Sequence, residues 1–141
     1  GAKFIVAPDL NDSVAEYCVK NNLAFFPGAL TPTEIAKAWS SGATMVKVFP
    51  ASQMGPSYFK VLKGPFEQIK LMAVGGVGPK NISEYFSAGA SAVALGGSIF
   101  SLSRMANREY NAMQKDIEEF MFAVNKNYSN IDNIDLANHS N

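Results

Sequence analysis

The residue best placed to do chemistry is Lys47, which lies within the apolar run of residues 45–49, MVKVF. This run follows Gly42, stops at Pro50 and is rich in β-branched and aromatic residues, which predicts a buried strand. Burial strips water from an ammonium group and lowers its pKa. A lysine that is partly neutral near pH 7 attacks carbonyl carbons and forms a Schiff base. The alternative is a lysine whose stem covers apolar surface while its amine reaches water.

Two glycine pairs follow predicted strands further along the chain. Gly75-Gly76 and Gly96-Gly97, the second pair followed by Ser98, each end a short apolar run. Glycine allows positive φ and lets a ligand approach N–H groups that a Cβ would shield. Helices are predicted just beyond both pairs, and the N–H groups of a helix N-terminus favour an anion. The two pairs together predict a phosphate site, whereas either pair alone is equally explained as a tight turn.

The lysine and the glycines together define a reaction. An imine on Lys47 makes the former ketone an electron sink, so a carbon–carbon bond at the neighbouring position breaks and leaves an enamine. The glycines require a phosphate at the other end of the same substrate. Alternation along the strand places Lys47 and Phe49 on one face, where the ring helps to keep water from the amine. The predicted chemistry is that of an aldolase.

These residues have to be positioned by alternating strands and helices. Apolar strand-like runs recur at intervals of about 20 to 25 residues, with helical patterns between them, which predicts βα units and a parallel sheet. The runs begin near Lys3, Leu23, Met45, Lys70 and Ser91. Five units suit a complete open sheet of the flavodoxin type or the last five units of an eight-unit barrel. A solenoid is disfavoured because the leucine-rich signature is absent.

Local signals mark the ends of the helices. Residues 31–34, TPTE, combine an N-cap, a proline in the first turn and a capping-box glutamate, and residues 81–84, NISE, suggest a similar start. Gly42 and Gly89 follow helical runs at positions that favour a left-handed conformation. The last helix is expected from about Asn107 to Tyr128. Residues 1–128 would then form one domain, followed by a polar, disordered tail at residues 129–141.

Composition excludes several classes of protein. The chain has 141 residues, 48% of them hydrophobic, which is enough for one domain with a core. Its 12 basic and 12 acidic residues cancel, so no nucleic acid or anionic membrane partner is indicated. No apolar run reaches the ~20 residues of a membrane span, and the start lacks a signal-peptide layout, so we expect a cytoplasmic protein. Cys18 and His139 are single, which predicts no disulfide and no metal site of His and Cys.

Residues 45–51, MVKVFPA, resemble the Schiff-base signature of the class I aldolases that cleave 2-keto-3-deoxy-6-phosphogluconate (KDPG) and often 4-hydroxy-2-oxoglutarate (KHG). The resemblance covers about residues 1–105. Residues 1–8 are similar to the fourth barrel strand of that family, and Phe26-Pro27-Gly28 to the fifth. Further similar segments follow in family order: residues 64–66, GPF; residues 75–77, GGV, with Pro79 and Asn81; and residues 96–98, GGS.

This resemblance implies a TIM (β/α)8 barrel of which the chain holds the last five βα units. It implies that Lys47 forms the imine and that phosphate binds at Gly75, Gly76, Gly96, Gly97 and Ser98. The pocket for the rest of the substrate would be bordered by Pro8, Pro27, Phe49 and Val74. KDPG would be cleaved to pyruvate and glyceraldehyde 3-phosphate, a step of the Entner–Doudoroff pathway, by a cytoplasmic homotrimer that needs no metal or organic cofactor.

The chain departs from the family pattern in two ways. Val74 stands where many members have threonine, as in relatives that act on the galactonate epimer, so epimer preference is open. The three βα units that carry the family's catalytic glutamate, arginine and threonine are not in this sequence, and Glu34, Glu67 and Glu84 lie in helix or loop contexts that do not suit a replacement. We therefore expect slow or no turnover by this chain alone, and poor solubility because barrel edges are exposed.

Two rival functions remain. A non-catalytic phosphate-binding barrel would keep the glycines without needing a nucleophilic Lys47. An open five-stranded domain, binding a nucleotide or acting as a receiver module, would need acidic residues at its strand ends, where Asp9 is the only candidate.

Overall fold

The computed structural model of the chain describes residues 1–138 and alternates short strands with helices. The strands are β1 Phe4–Val6, β2 Ala24–Phe26, β3 Gly28–Ala29, β4 Val46–Val48, β5 Leu71–Val74 and β6 Ala92–Ala94. The helices are α1 Asp12–Lys20, α2 Pro32–Ser40, α3 Ala51–Met54, α4 Pro56–Leu62, α5 Ile82–Ser87, α6 Leu102–Ala106 and α7 Tyr110–Asn138. The five predicted strands are present, and the second is divided into β2 and β3.

The sheet follows the order of the chain. β1 pairs with β2, and β3, β4, β5 and β6 pair in sequence, all of them in parallel. Pro27 divides β2 from β3 because proline has no N–H to donate, yet the sheet remains continuous there. The N–H groups of Thr44 and Lys47 donate to the carbonyl oxygens of Phe25 and Pro27 at 2.8 and 2.9 Å. An open doubly wound sheet reverses its strand order, so the unbroken order confirms the barrel alternative.

The two faces of the sheet differ in how deeply their residues are buried, and Lys47 lies on the face opposite the main core. The face toward the helices carries fully buried residues, which are Val46, Val48, Leu71 and Ala73. They pack in one core against helix residues that include Ile35, Phe59, Leu62, Ile82, Tyr85 and Phe120. Lys47 and Met72, which are paired in register on the opposite face, are each 8% exposed. The predicted alternation is therefore present, and it places Lys47 on the inner side of the partial barrel.

The outer strands leave part of this inner face open. Within the described residues, β1 and β6 each pair with a strand on one side only. On β1, Phe4 is 59% exposed and Val6 is 48% exposed, while Ile5 between them packs toward α1. The ring of Phe4 meets the ring of Phe26 edge to face, with centroids 6.1 Å apart. This apolar exposure is the pattern expected for five of eight barrel units.

Most of the predicted helix ends are confirmed. Thr31 and Glu34 form a complete capping box at the start of α2. Gly42 and Gly89 have φ angles of 90° and 97° just after α2 and α5. Asn81 precedes α5 as predicted, but its side chain makes no cap to that helix.

The last helix differs from the prediction at both ends. Arg108 adopts a φ of 55°, which ends the turn after α6, so α7 begins at Tyr110 instead of Asn107. The helix then continues to Asn138, ten residues past the predicted end at Tyr128. The Asn-, Asp- and Ser-rich composition suggested a tail, but adding residues to an existing helix costs far less than starting one. Residues 139–141 of the predicted tail, with His139, lie outside the described residues.

No helix in the described part of the chain is both long enough and apolar enough to cross a membrane. Cys18 is fully buried in a small cluster with Ala15 and Phe25.

We predict that Lys47→Met stabilises the chain by about 1 kcal/mol near pH 7, because it replaces a buried charged group by an apolar side chain. Burial lowers the pKa of the amine, so the folded state disfavours the charged form that the unfolded chain holds. Stability of the unmodified chain should rise with pH toward the ordinary lysine pKa of about 10.4, and the gain from methionine should shrink in the same interval. Denaturant unfolding across this pH range measures both effects.

Lys70→Met is the matched control, because Lys70 is exposed at the start of β5. Its effect should stay within about 0.5 kcal/mol at every pH. Equal effects of the two substitutions would contradict the burial of an uncompensated charge at Lys47.

Candidate active site

The amine of Lys47 lies in an apolar setting. Of the residues that the structure describes, Lys47 is the only charged one that is buried. None of the ion pairs among these residues includes it. Desolvation lowers the pKa of the amine, in the direction predicted from the sequence. The ring of Phe49, whose centroid lies 4.8 Å from Lys47 Nζ, is the cation–π partner that the ammonium form retains.

Residues of the two neighbouring strands flank the lysine. Gly28 is paired with Lys47 in register on one side and Met72 on the other. A side chain at position 28 is sterically excluded, because a Cβ there would lie 1.9 Å from the carbonyl oxygen of Pro8. Pro27 is fully buried and accepts the backbone N–H of Lys47. Pro27 therefore supports the strand that carries the lysine and lines neither of the cavities described next.

A cavity of about 340 Å³ opens at the carboxyl ends of β1, β3 and β4. Its lining includes Pro8, Asp9, Gly28, Glu34, Lys37 and Phe49. The predicted pocket residues Pro8 and Phe49 thus share one cavity. Asp9 also borders it, at the end of β1 where the sequence placed it.

Glu34 borders this cavity, but its carboxylate is already committed. Its Oε2 accepts the backbone N–H groups of Leu30 and Thr31 at 2.9 and 2.8 Å. These two hydrogen bonds lower the pKa of the Glu34 carboxyl. Glu34 is thus held as a carboxylate that serves the helix start, in agreement with the expectation that it does not replace a general acid.

A second cavity, of about 140 Å³, brings together the residues predicted to bind phosphate. Both glycine pairs and Ser98 line it, together with Phe49, Val74, Val77, Ala94 and Leu95. Phe49 lines both cavities and also contacts the amine of Lys47. Phe49 therefore borders both cavities and contacts the amine of Lys47, while Lys47 itself lines neither cavity.

The two glycine pairs are glycines for different reasons. Gly75 and Gly76 have φ angles of 93° and 75°, and a Cβ on Gly76 would lie 2.4 Å from Cβ of Ser52. The turn and its packing account for this first pair. Gly96 and Gly97 have ordinary φ angles, and a Cβ on either would meet nothing within 4 Å. The fold leaves the space in front of this second pair empty.

Backbone donors around the smaller cavity are unused. None of the described residues accepts a hydrogen bond from the N–H groups of Val77, Gly97 or Ser98. The helix expected directly after Ser98 is absent, and α6 begins only at Leu102. The side chain of Ser101, at the N-cap of α6, accepts a hydrogen bond from Arg104 N. The donors available to a ligand are therefore loop N–H groups and the hydroxyl of Ser98.

The side chain of Asn81 makes contacts other than the helix cap that the sequence predicts. Its Nδ2 donates to Gly76 O at 3.0 Å, and its Oδ1 accepts from Gly78 N at 2.9 Å. The side chain thus spans the loop that contains the first glycine pair. An asparagine a few residues after a glycine pair was a visible signal, but its pattern indicated a helix cap.

Metal-binding geometry is not found in the described part of the chain, where no three His, Cys, Asp or Glu side chains are grouped to hold an ion.

Comparison with known proteins places this geometry in a family. The model of the KDPG and KHG aldolase family matches residues 1–116. The 2-dehydro-3-deoxy-6-phosphogalactonate aldolase of Escherichia coli strain K12 is 34% identical over 125 residues, 88% of this chain and 61% of that protein. The 2-dehydro-3-deoxy-phosphogluconate aldolase of Haemophilus influenzae is 39% identical over 101 residues, 71% of this chain and 47% of that protein.

A solved structure shares the fold as well. The KDPG aldolase of Legionella pneumophila, with pyruvate captured as a covalent carbinolamine intermediate, matches with a TM-score of 0.71 and 25% identity. The match covers 82% of this chain and 56% of that one. The chain thus spans about half to three fifths of the length of these relatives, and over that span it has the partial TIM-barrel architecture predicted from the sequence. The family match over most of its residues shows that the chain belongs to the KDPG and KHG aldolase family.

Proposed function

We propose that this chain carries the Schiff-base and phosphate-binding part of an aldolase that cleaves KDPG to pyruvate and glyceraldehyde 3-phosphate. One observation carries the proposal. The ring of Phe49 touches the desolvated amine of Lys47 and also lines the cavity that holds both glycine pairs. A substrate with a ketone near one end and a phosphate at the other would meet both features at once.

The reaction begins with the neutral amine of Lys47, which attacks the C2 carbonyl carbon of the substrate. Loss of water gives an imine, which withdraws electrons from the C3–C4 bond. That bond breaks as the C4 hydroxyl loses its proton, so glyceraldehyde 3-phosphate leaves and an enamine remains on Lys47. Protonation at C3 and hydrolysis then release pyruvate and restore the amine.

The C4 proton needs an acceptor, and the described carboxylates do not supply a convincing one. Glu34 has a lowered pKa and is held by two backbone N–H groups. Family resemblance assigns this acid–base role to a glutamate in the barrel units that are not in this sequence. We therefore infer that the chain alone forms the imine but turns over slowly or not at all, and that the whole enzyme is a cytoplasmic homotrimer without metal or organic cofactor.

Phosphate recognition depends on the unused backbone donors. Gly97 and Ser98 line the cavity, their N–H groups have no acceptor among the described residues, and a Cβ on Gly97 would meet no atom within 4 Å. Hydrogen bonds from such groups to an anion are stronger than those to a neutral acceptor. The chain offers this site without any nearby lysine or arginine on the cavity wall.

We predict that pyruvate with borohydride gives a stable carboxyethyl adduct on Lys47 in preference to every other lysine. Hydride reduces the imine, so each adduct records one Schiff base. Because burial lowers the pKa of Lys47, labelling should level off at a pH below the ordinary lysine pKa of about 10.4. Peptide mass spectrometry across pH 6 to 10 locates and counts the adducts.

Lys47→Arg is the control, because it keeps a positive charge but cannot form the imine. A folded chain that shows no adduct on Lys47 would favour the non-catalytic phosphate-binding barrel instead.

We predict that Gly97→Ala weakens the binding of inorganic phosphate about tenfold, because a methyl group would shield the N–H donors. Stability should not fall, since the added Cβ meets no atom within 4 Å. Phosphate titration followed by ³¹P NMR gives the affinity. Gly1→Ala is the control, because a Cβ on Gly1 also meets no atom within 4 Å and Gly1 does not line this cavity. Equal affinities of the two variants would refute the phosphate assignment.

A second substrate is favoured by Val74, which lines the glycine cavity with a side chain that has no hydroxyl. The E. coli relative is named for the galactonate epimer, so 2-keto-3-deoxy-6-phosphogalactonate is the alternative substrate. The two epimers can be compared as competitors of pyruvate in borohydride trapping. Stronger protection of Lys47 by the galactonate epimer, reversed in Val74→Thr, would select this alternative, and stronger protection by KDPG would reject it.

A further inference from the structure

Asn81 occupies the N-cap position of α5 but uses its side chain elsewhere. Asparagine at this position usually accepts an N–H from the first turn of its helix, and α5 receives no such side-chain cap. The amide instead donates to Gly76 O and accepts from Gly78 N, at 3.0 and 2.9 Å. The side chain of Asn81 therefore hydrogen-bonds to the loop after β5 instead of capping α5.

The bond to Gly76 fixes one peptide plane. The peptide between Gly76 and Val77 is trans, so its carbonyl and its N–H point in opposite directions. Asn81 holds the carbonyl of Gly76, and the N–H of Val77 is thereby directed away from Asn81. The preceding peptide is held in the same way, because the N–H of Ser52 donates to Gly75 O at 3.0 Å.

The N–H of Val77, which is oriented by the hydrogen bond from Asn81 to Gly76 O, has no acceptor among the described residues. Val77 is 4% exposed, and none of the described residues accepts its N–H. A backbone N–H without a protein acceptor needs another hydrogen-bond partner. Val77 lines the cavity that also holds Gly97 and Ser98, so an anion in that cavity would satisfy the unused donor.

We propose that Asn81 is a positioning residue for the phosphate of the substrate. It acts by holding the carbonyl of Gly76 so that the N–H of Val77 faces the glycine cavity. This inference rests on the proposed function, since it requires phosphate to bind there. Asn81 itself makes no contact with the substrate.

Asn81→Ser tests the inference in the full 141-residue chain. Serine remains a good N-cap for α5, but it is too short to bridge Gly76 and Gly78. We expect the affinity for inorganic phosphate, measured by ³¹P NMR titration, to fall about tenfold. The rate of borohydride trapping by pyruvate, which carries no phosphate, should fall less than twofold. This split separates positioning from a general loss of structure, which would lower both quantities together.

Asn21→Ser is the matched control. Asn21 also donates its side-chain amide to a backbone carbonyl at a helix end, that of Tyr17 at 2.8 Å, but it lies after α1, at the opposite edge of the sheet. It should leave the affinity for phosphate unchanged. Unaltered phosphate affinity in Asn81→Ser, or a parallel loss of trapping and unfolding stability, would overturn the role of Asn81 alone. Absence of phosphate binding by the unmodified chain would overturn the phosphate site and the role of Asn81 together.

Discussion

The inner face of the sheet holds one costly arrangement, the amine of Lys47 buried without an anionic partner among the described residues. The backbone of Lys47 is fixed from both sides by β3 and β5, and its N–H is bonded to Pro27 O. The side chain therefore lies on the inner face of the sheet, where the phenyl ring of Phe49 replaces part of its water. A folded chain retains such a group at some cost in stability, and the proposed Schiff-base role, which needs a neutral amine, would account for its retention.

The proposed phosphate site differs from the lysine site because it consists of backbone N–H groups and of space that no side chain fills. The first glycine pair is dictated by the turn after β5 and by contact with Ser52, while the second pair is dictated by nothing within the described fold. Loop N–H groups without an acceptor among the described residues are the donors that the proposed phosphate site would use. Phe49 contacts the amine of Lys47 and also lines the glycine cavity, so it is the residue that links the two halves of the proposed site.

Much of this arrangement could be predicted from the sequence because it depends on local pattern. The apolar runs placed all five predicted strands, and alternation along β4 placed Lys47 opposite Val46 and Val48. The remainder depends on contacts between distant residues. The change of strand partner at Pro27, the close approach of Pro8 to Gly28 and the diversion of Asn81 from its helix cap all require three-dimensional neighbours. The length of α7 does not follow from composition, because a helix that has already formed extends cooperatively through residues that would not start one.

The most direct test of the central claim is the pKa of the Lys47 amine itself, read by NMR titration of side chains carrying ¹³C at Cε, with Lys47→Met identifying its resonance. Burial predicts that Lys47 titrates below the ordinary lysine pKa of about 10.4. A Lys47 resonance that titrates at that ordinary pKa would contradict a Schiff-base role for Lys47, because a fully hydrated ammonium is not the nucleophile that the chemistry requires.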